Sequence, residues 1–357
     1  MTPLEYAKRS IETMMRRYRA EDLPPKGRFH YHQGVFLSGV YQNYLLCGDE
    51  RYFEYIKTWV DSCIDASGAL KDADMRQMDD IQPGILLFPL YERTGDERYR
   101  ALLDVLTKAI IDSPKNPDGG LYHKAWYERQ MWLDGLYMGG PILAQYGAEY
   151  GKPEYLDFVI KQIKLMREHT RDEKTGLWYH GYDDAKVQPW ADKETGRSHE
   201  FWGRSMGWVP VAILDDLDYI PETHLDRETL KSIVKDLLEA ICRFQSDDGR
   251  WYQVVDKGDR SHNWLENSCS CLFAAALARA VKNGILDGSY MTAARRAFEA
   301  VTASLGTDGQ DIVVGQVCVG TSVGDYDYYV NRPVSENDLH GVGAFLLMCA
   351  AMENLEK

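Results

Sequence analysis

The chain runs to 357 residues, of which 45% are hydrophobic, ample material for a large core. Acidic residues number 55 against 41 basic ones, a formal net charge of −14. Such a surface repels nucleic acid, anionic membranes and long polyanions laid along an open groove, while a small anion is still acceptable where a few cations gather in a pocket.

The N-terminal stretch "MTPLEYAKRSIETMMRRYRAED" is amphipathic, with a predicted helix over 4–19. It lacks the continuous apolar core of a secretory leader or a membrane span. His30, Tyr31 and His32 then precede a more apolar, small-residue-rich helix over 33–46. "CGDERYFEYIKTWVDSCI", from Cys47, opens an amphipathic helix over 51–66, and "RQMDDIQPG" carries Asp79 and Asp80 into an apolar one over 80–93. "TGDERYRALLDVLTKAII", from Thr94, repeats the earlier phrase and predicts a helix over 97–112. "RQMWLDGLYMGGP" sets Asp134 at the head of 134–148, and "YGKPEYLDFVIKQIKLMR", from Tyr150, repeats the phrase for 153–169. "EFWGRSMGW" opens 204–219 with Trp202 and Arg204, after which "LDRETLKSIVKDLLEAICRF" predicts 226–245. Glu266 and Asn267 open 268–282, "LDGSYMTAARRAFEAVTASL" predicts 289–305, and Glu336, Asn337 and Asp338 open 338–354.

The recurring phrase has a physical logic. Its Gly suits the left-handed residue that ends one helix, and the polar residues after it suit the start of the next. Each phrase therefore marks the corner of a helical hairpin. Gly turns beside aromatic runs, as in "NPDGGLYHKAW", "EKTGLWYHGYD" and "SDDGRWYQVVD", predict loops or short ribbons that lead into the next helix. Six amphipathic helices alternating with six apolar ones, at a period of roughly 50 residues, predict an all-α (α/α)6 toroid over 1–357 as one domain. An open solenoid would need a polar cap at its end. The last helix, "GVGAFLLMCAAM", is as apolar as the middle ones, which favours closure.

In such a ring the inner helices run the same way, so their N-termini meet at one rim. The polar groups that open them would then share a cavity. Asp134 alone reads two ways, as a helix cap or as a carboxyl held in an apolar pocket. Asp79 and Asp134 close together would titrate as a coupled pair, one keeping its proton near neutral pH as general acid catalysis requires. Trp126, Trp132, Trp178, Trp202, Trp208 and Trp264 fall in or beside the same loops, and indole faces suit pyranose rings, which points to a sugar ligand. No HExxH and no His/Cys ligand set occurs; His30-x-His32 stands alone, so no metal site is expected. The seven cysteines are odd in number and irregularly spaced, the pattern of free thiols in a reducing, cytoplasmic setting.

"MWLDGLYM", "LWYHGYD" and "FWGRSMGW", in this order and spacing, resemble the unsaturated rhamnogalacturonyl hydrolases of glycoside hydrolase family 105, over nearly the whole chain. The resemblance implies an (α/α)6 barrel that uses no metal and no organic cofactor. The reaction it implies removes a 4,5-unsaturated uronic acid from the non-reducing end of pectin-derived oligosaccharides. An acid protonates C4 of the vinyl ether, water adds at C5, and the resulting hemiketal opens and releases the leaving sugar. Asp134 matches the acid/base of the family and Asp79 the second carboxylate, with a swap to Asp80 left open. Tyr31, Lys124, Trp132, Met138, His180, Trp202, Arg204 and Trp208 match substrate-binding positions. Arg204 and Lys124 would hold the substrate carboxylate, although Arg204 pairing with Glu200 or Asp183, His180 bracing a loop and Lys124 lying in solvent stay open as structural alternatives. The implied partner is a small unsaturated oligosaccharide, neither nucleic acid nor membrane, with the chain a monomer or homodimer. A related reaction on ulvan or glycosaminoglycan fragments, or an inverting glycosidase or epimerase on the same fold, is the alternative.

Overall fold

Helices alternate between two layers in the computed structural model, which describes residues 1–355. In chain order they are α1 (Pro3–Arg17), α2 (Tyr31–Cys47), α3 (Glu50–Cys63), α4 (Leu87–Thr94), α5 (Glu97–Asp112), α6 (Asp134–Glu149), α7 (Pro153–Thr170), α8 (Gly203–Tyr219), α9 (Arg227–Cys242), α10 (Asn267–Lys282), α11 (Met291–Ala303), α12 (Tyr326–Val330) and α13 (Leu339–Glu353). All the expected helices are present, and the short α12 is an addition that the periodicity does not announce. Helices α2, α4, α6, α8, α10 and α13 form the inner ring, each packed on the next, α4 through the turn that precedes it. Helix α13 packs on α2 and closes the ring, while α1, α3, α5, α7, α9 and α11 stand outside it. The architecture is an (α/α)6 toroid. Among the described residues, no helix is long and apolar enough to cross a membrane.

The hairpin corners form as their residue types dictate. Gly48 and Gly95 adopt φ of 65° and 66°, the left-handed region that a side chain disfavours. Asp49 and Asp96 follow as N-caps, accepting backbone N–H bonds from Arg51 at 3.1 Å and Arg98 at 3.0 Å. One inner element departs from expectation. The stretch 78–86 winds as two 3-10 turns, Met78–Asp80 and Gln82–Leu86, and α-helix begins only at Leu87. Pro83 has no N–H to give to an α-helical ladder. At Gly84 a Cβ would stand 2.4 Å from Ile142 Cδ1 and 2.7 Å from Leu106 Cδ1, so the backbone must pass close. The tight turn leaves Asp79 and Asp80 ahead of the helix rather than on it.

Among the described residues, four two-stranded antiparallel ribbons sit between the helices. Strands β1 (Gln130–Trp132) and β2 (Gly181–Asp183) pair with Trp132 opposite Gly181, while β3 (Trp251–Tyr252) pairs with β4 (Leu265–Glu266). Strands β5 (Gly306–Asp308) and β6 (Asp311–Val313), and β7 (Val317–Cys318) and β8 (Val334–Ser335), form the others. The first ribbon leads directly into α6 and follows directly on His180. Leu133 N–H bonds the His180 carbonyl at 3.0 Å, so this ribbon sets Asp134 and His180 side by side.

Candidate active site

The two ends of the barrel differ in chemistry. A cavity of about 540 Å³ opens where the inner helices end, among Gln42, Glu92, Gln145, Asp218 and Asn354. Its arginine, Arg279, is already paired with Asp215 and Asp218. At the other end, where the inner helices begin, carboxylates, histidines and aromatic rings converge, and the candidate site lies there.

Asp134 is the first residue of α6, and its side chain caps nothing; the residue before it, Leu133, occupies the cap position. Its Oδ2 lies 3.0 Å from His180 Nε2. His180 Nδ1 in turn lies 2.7 Å from the Tyr329 hydroxyl, which accepts the Gly324 N–H at 3.1 Å. An ionised Asp134 can only accept, so the ring hydrogen of His180 sits on Nε2 and is donated to it, and Nδ1 accepts from the Tyr329 hydroxyl. Burial pulls the His180 pKa down against the pull of Asp134, which keeps the imidazole neutral. Burial pushes the Asp134 carboxyl up, but the His180 bond and the nearby imidazoles outweigh it, and the net direction is down. The arrangement leaves Oδ1 of Asp134 for a ligand.

Asp79 is 2.7 Å from Lys124 Nζ and 3.4 Å from His123 Nε2. Burial opposes its charge, yet His123 and then Lys124 hold it well below the usual carboxylate range. The expected proton-sharing pair takes a different form: Asp79 lies ionised against Lys124, and its charge still opposes ionisation of Asp134, with less effect than the His180 bond. Asp80 belongs to the scaffold. It accepts from Arg28 at 3.0 Å, Asp74 N–H at 2.8 Å and Gln77 at 2.9 Å, and meets His30 Nδ1 at 2.5 Å. The swap between Asp79 and Asp80 is therefore disfavoured by geometry.

The other expected residues divide into those near these groups and those beneath them. Trp132 lies flat between His123, at 4.9 Å, and Tyr127, at 4.8 Å, with its edge towards His180. Trp202 packs against His180 at 4.7 Å and Tyr329 at 5.8 Å. Tyr31 begins α2, where its phenol feels the charges of Arg204, Asp79, Asp338 and Asp134, and burial raises its pKa. Lys124 is not in solvent, since Asp79 and the Gln77 oxygen at 3.1 Å take two of its three donors. Arg204 pairs with neither Glu200, which bonds Lys257, nor Asp183, which accepts backbone N–H bonds. Its Nη atoms donate to the carbonyls of Cys318 at 2.5 Å and Val319 at 2.7 Å, with Glu266 at 3.8 Å and the Trp202 ring below. A two-pronged grip of Arg204 on a substrate carboxylate is thus not free in this arrangement.

Trp208, Trp178 and Met138 are almost fully buried, with Trp208 stacked on Tyr137 at 4.6 Å. They pack the wall from behind and are not open to a sugar face here. Trp126, by contrast, is 48% exposed on the rim, with Arg76 5.8 Å above its ring. Glu266 caps α10, accepting the Cys269 N–H at 2.6 Å. Tyr329 and His123 carry no sequence signal that singles them out.

A family model described as Glycosyl Hydrolase Family 88 matches residues 6–356. A solved family 105 glycoside hydrolase from C. acetobutylicum superimposes with a TM-score of 0.92 at 32% identity, covering 98% of this chain and 99% of that one. The chain belongs to the family 88/105 glycoside hydrolases. It is accordingly a glycosidase. Among curated relatives in this family, an Agrobacterium fabrum protein, Atu3128, is 34% identical over 233 residues, 61% of this chain and 98% of its own. The unsaturated rhamnogalacturonyl hydrolase YesR of Bacillus subtilis is 27% identical over 297 residues, 81% of this chain and 79% of its own.

Proposed function

We propose that this family 88/105 glycosidase removes a 4,5-unsaturated uronic acid from the non-reducing end of small oligosaccharides by hydrating the vinyl ether. The observation that carries the reading is the contrast between the two carboxylates that the sequence singles out. Asp134 offers Oδ1 to a ligand, while Asp79 is tied to Lys124 and His123. Ordinary glycoside hydrolysis needs two carboxyl groups at work about the anomeric carbon. Hydration of an enol ether needs only one, acting in turn as acid and base.

In this account Asp134 reacts from its protonated form, a minor one given the downward direction of its pKa: Oδ1 gives H⁺ to C4, and positive charge develops at C5 and the ring oxygen. His180 Nε2–H holds Oδ2 and steadies the carboxylate that forms. Water adds at C5 and returns its proton to Asp134. The hemiketal then opens to a C5 ketone, the ring oxygen becomes the hydroxyl of a C1 hemiacetal, and that hemiacetal expels the leaving sugar. Asp79 acts as an anion that orients sugar hydroxyls together with Lys124, Tyr31 and Trp132 line the ring, and Trp202 and Arg204 stand directly behind them. Trp208 and Met138 support this wall. Residues 1–357 act as one catalytic domain, in the cytoplasm, as a monomer or homodimer. The substrate class is pectin-derived, with an unsaturated galacturonyl group on rhamnose, by likeness to the named hydrolase of B. subtilis. Unsaturated glucuronyl fragments of ulvan or glycosaminoglycans are the second reading, favoured by the likeness to an Alteromonas enzyme named unsaturated 3S-rhamnoglycuronyl hydrolase.

The test is decay of the ultraviolet absorbance of the conjugated uronate across disaccharides made by pectin, ulvan and hyaluronan lyases. Turnover is expected to be fastest on the pectin product, and Asp134→Asn is expected to lower kcat by about 10³-fold or more. Turnover of a saturated aryl glycoside, with none of the unsaturated set consumed, would refute the proposal.

A further inference from the structure

Three side chains beside the candidate site converge where α2 meets α13. His32 lies in the first turn of α2, His340 in the first turn of α13, and Asp338 stands just ahead of it. One ligand atom from each falls within 4.8 Å of the other two. The His32 Nε2 and His340 Nδ1 atoms are buried without a hydrogen-bond partner among the described residues. His340 is fully buried, and its Nδ1 faces Asp338 Oδ1 at 2.8 Å.

The other nitrogen of His340 explains why this contact is unusual. Nε2 lies 3.0 Å from the Cys318 carbonyl, which can only accept, so the ring hydrogen is on Nε2. Nδ1 then carries a lone pair, and it meets a carboxylate oxygen. Two acceptors at that distance need a positive centre between them. A proton would settle the His340–Asp338 contact but would leave His32 Nε2 unused. A metal ion uses all three atoms, and an imidazole whose second N–H is held by a backbone carbonyl is the usual state of a ligating histidine.

We propose that His32 Nε2, His340 Nδ1 and the Asp338 carboxylate form a binding site for a divalent transition-metal ion of the zinc class. Two imidazoles and one carboxylate suit zinc, iron(II) or manganese(II) better than magnesium or calcium, which prefer oxygen-only sets. The positive ends of α2 and α13 and the neighbouring Arg204 oppose a cation. These charges make the site weaker than a structural zinc site. The site shares no residue with Asp134, Asp79 or His180, and it lies next to Tyr31, whose ring is 4.3 Å from that of His32. It goes beyond the proposed activity and does not depend on it.

Chelator-treated, dialysed full-length protein is titrated with ZnCl2 by calorimetry and with CoCl2 by visible absorption. Uptake of one equivalent of Zn²⁺, and visible bands from bound Co²⁺, are expected. His340→Gln and His32→Gln are each expected to weaken binding at least about 30-fold, with the circular dichroism spectrum unchanged. Asp338→Asn serves as the further variant should either histidine change disturb folding. No uptake of Zn²⁺ by the wild-type chain, or undiminished uptake by correctly folded variants, would overturn the proposal.

Discussion

Asp134 is distinguished from the other carboxylates of the site by what it lacks. It does not cap its helix, and among the described residues it pairs with no lysine or arginine and its one partner is a neutral imidazole. The Tyr329 hydroxyl, itself held by the Gly324 N–H, supports that tautomer by donating to Nδ1. Tyr329→Phe removes the donor to Nδ1 and lets the ring hydrogen move away from Asp134. The bond that lowers the Asp134 pKa is then lost, so the carboxyl holds its proton to higher pH. The basic limb of the kcat/KM profile is expected to move to higher pH while kcat falls by about tenfold, as measured across a pH series. An unshifted limb with the same loss in kcat would mean that Tyr329 only packs. Asp134 was legible because it sits in the compact text "MWLDGLYM". Tyr329 was not, because it lies 149 positions from His180 in a run of tyrosines that nothing local sets apart. His32 and His340 were illegible for the same reason. His30-x-His32 looks like a pair in sequence, but His30 turns to Asp80 and the partners of His32 come from the far end of the chain.

At the scale of elements, the alternation of amphipathic and apolar helices was readable because inner helices are apolar on nearly every side. The late start of α4 was not, since it depends on how closely the stretch 82–86 passes Leu106 and Ile142 as much as on Pro83. The contact that closes the ring is equally intimate. At Gly343 a Cβ would stand 2.6 Å from the backbone carbon and oxygen of Val35, so α13 and α2 touch backbone to backbone. Gly343→Ala is a favourable change for an isolated helix, but here it must push two packed helices apart. A net loss of about 1–3 kcal/mol is expected by urea denaturation, because overpacking outweighs propensity. Equal or greater stability would show that the seam is looser than described.

For the molecule as a whole, closing the ring buries acidic groups of an inner helix, and global stability should carry their mark. Asp216, on α8, is fully buried, and neither of its side-chain oxygens has a partner among the described residues. Burial first, then Asp215 and Asp218, push its pKa well up. Below the ordinary carboxyl range both folded and unfolded chains hold the proton, and the group contributes nothing. Above it the unfolded chain releases the proton and the folded chain keeps it, so folding loses up to about 1.4 kcal/mol per pH unit until the folded pKa is passed. Asp216→Asn removes that slope. The variant's advantage in unfolding free energy is expected to widen from about pH 4 upwards, and parallel curves for the two proteins would contradict the burial argument.

The central claim is that Asp134 delivers a proton to a carbon atom. Turnover of the unsaturated disaccharide in D2O, sampled by NMR at early times before the ketone product exchanges, reads this directly. One deuterium at C4 of the released sugar, placed with a single stereochemistry, is expected, and no such product with Asp134→Asn. Release of the leaving sugar with C4 still olefinic and free of deuterium would contradict it.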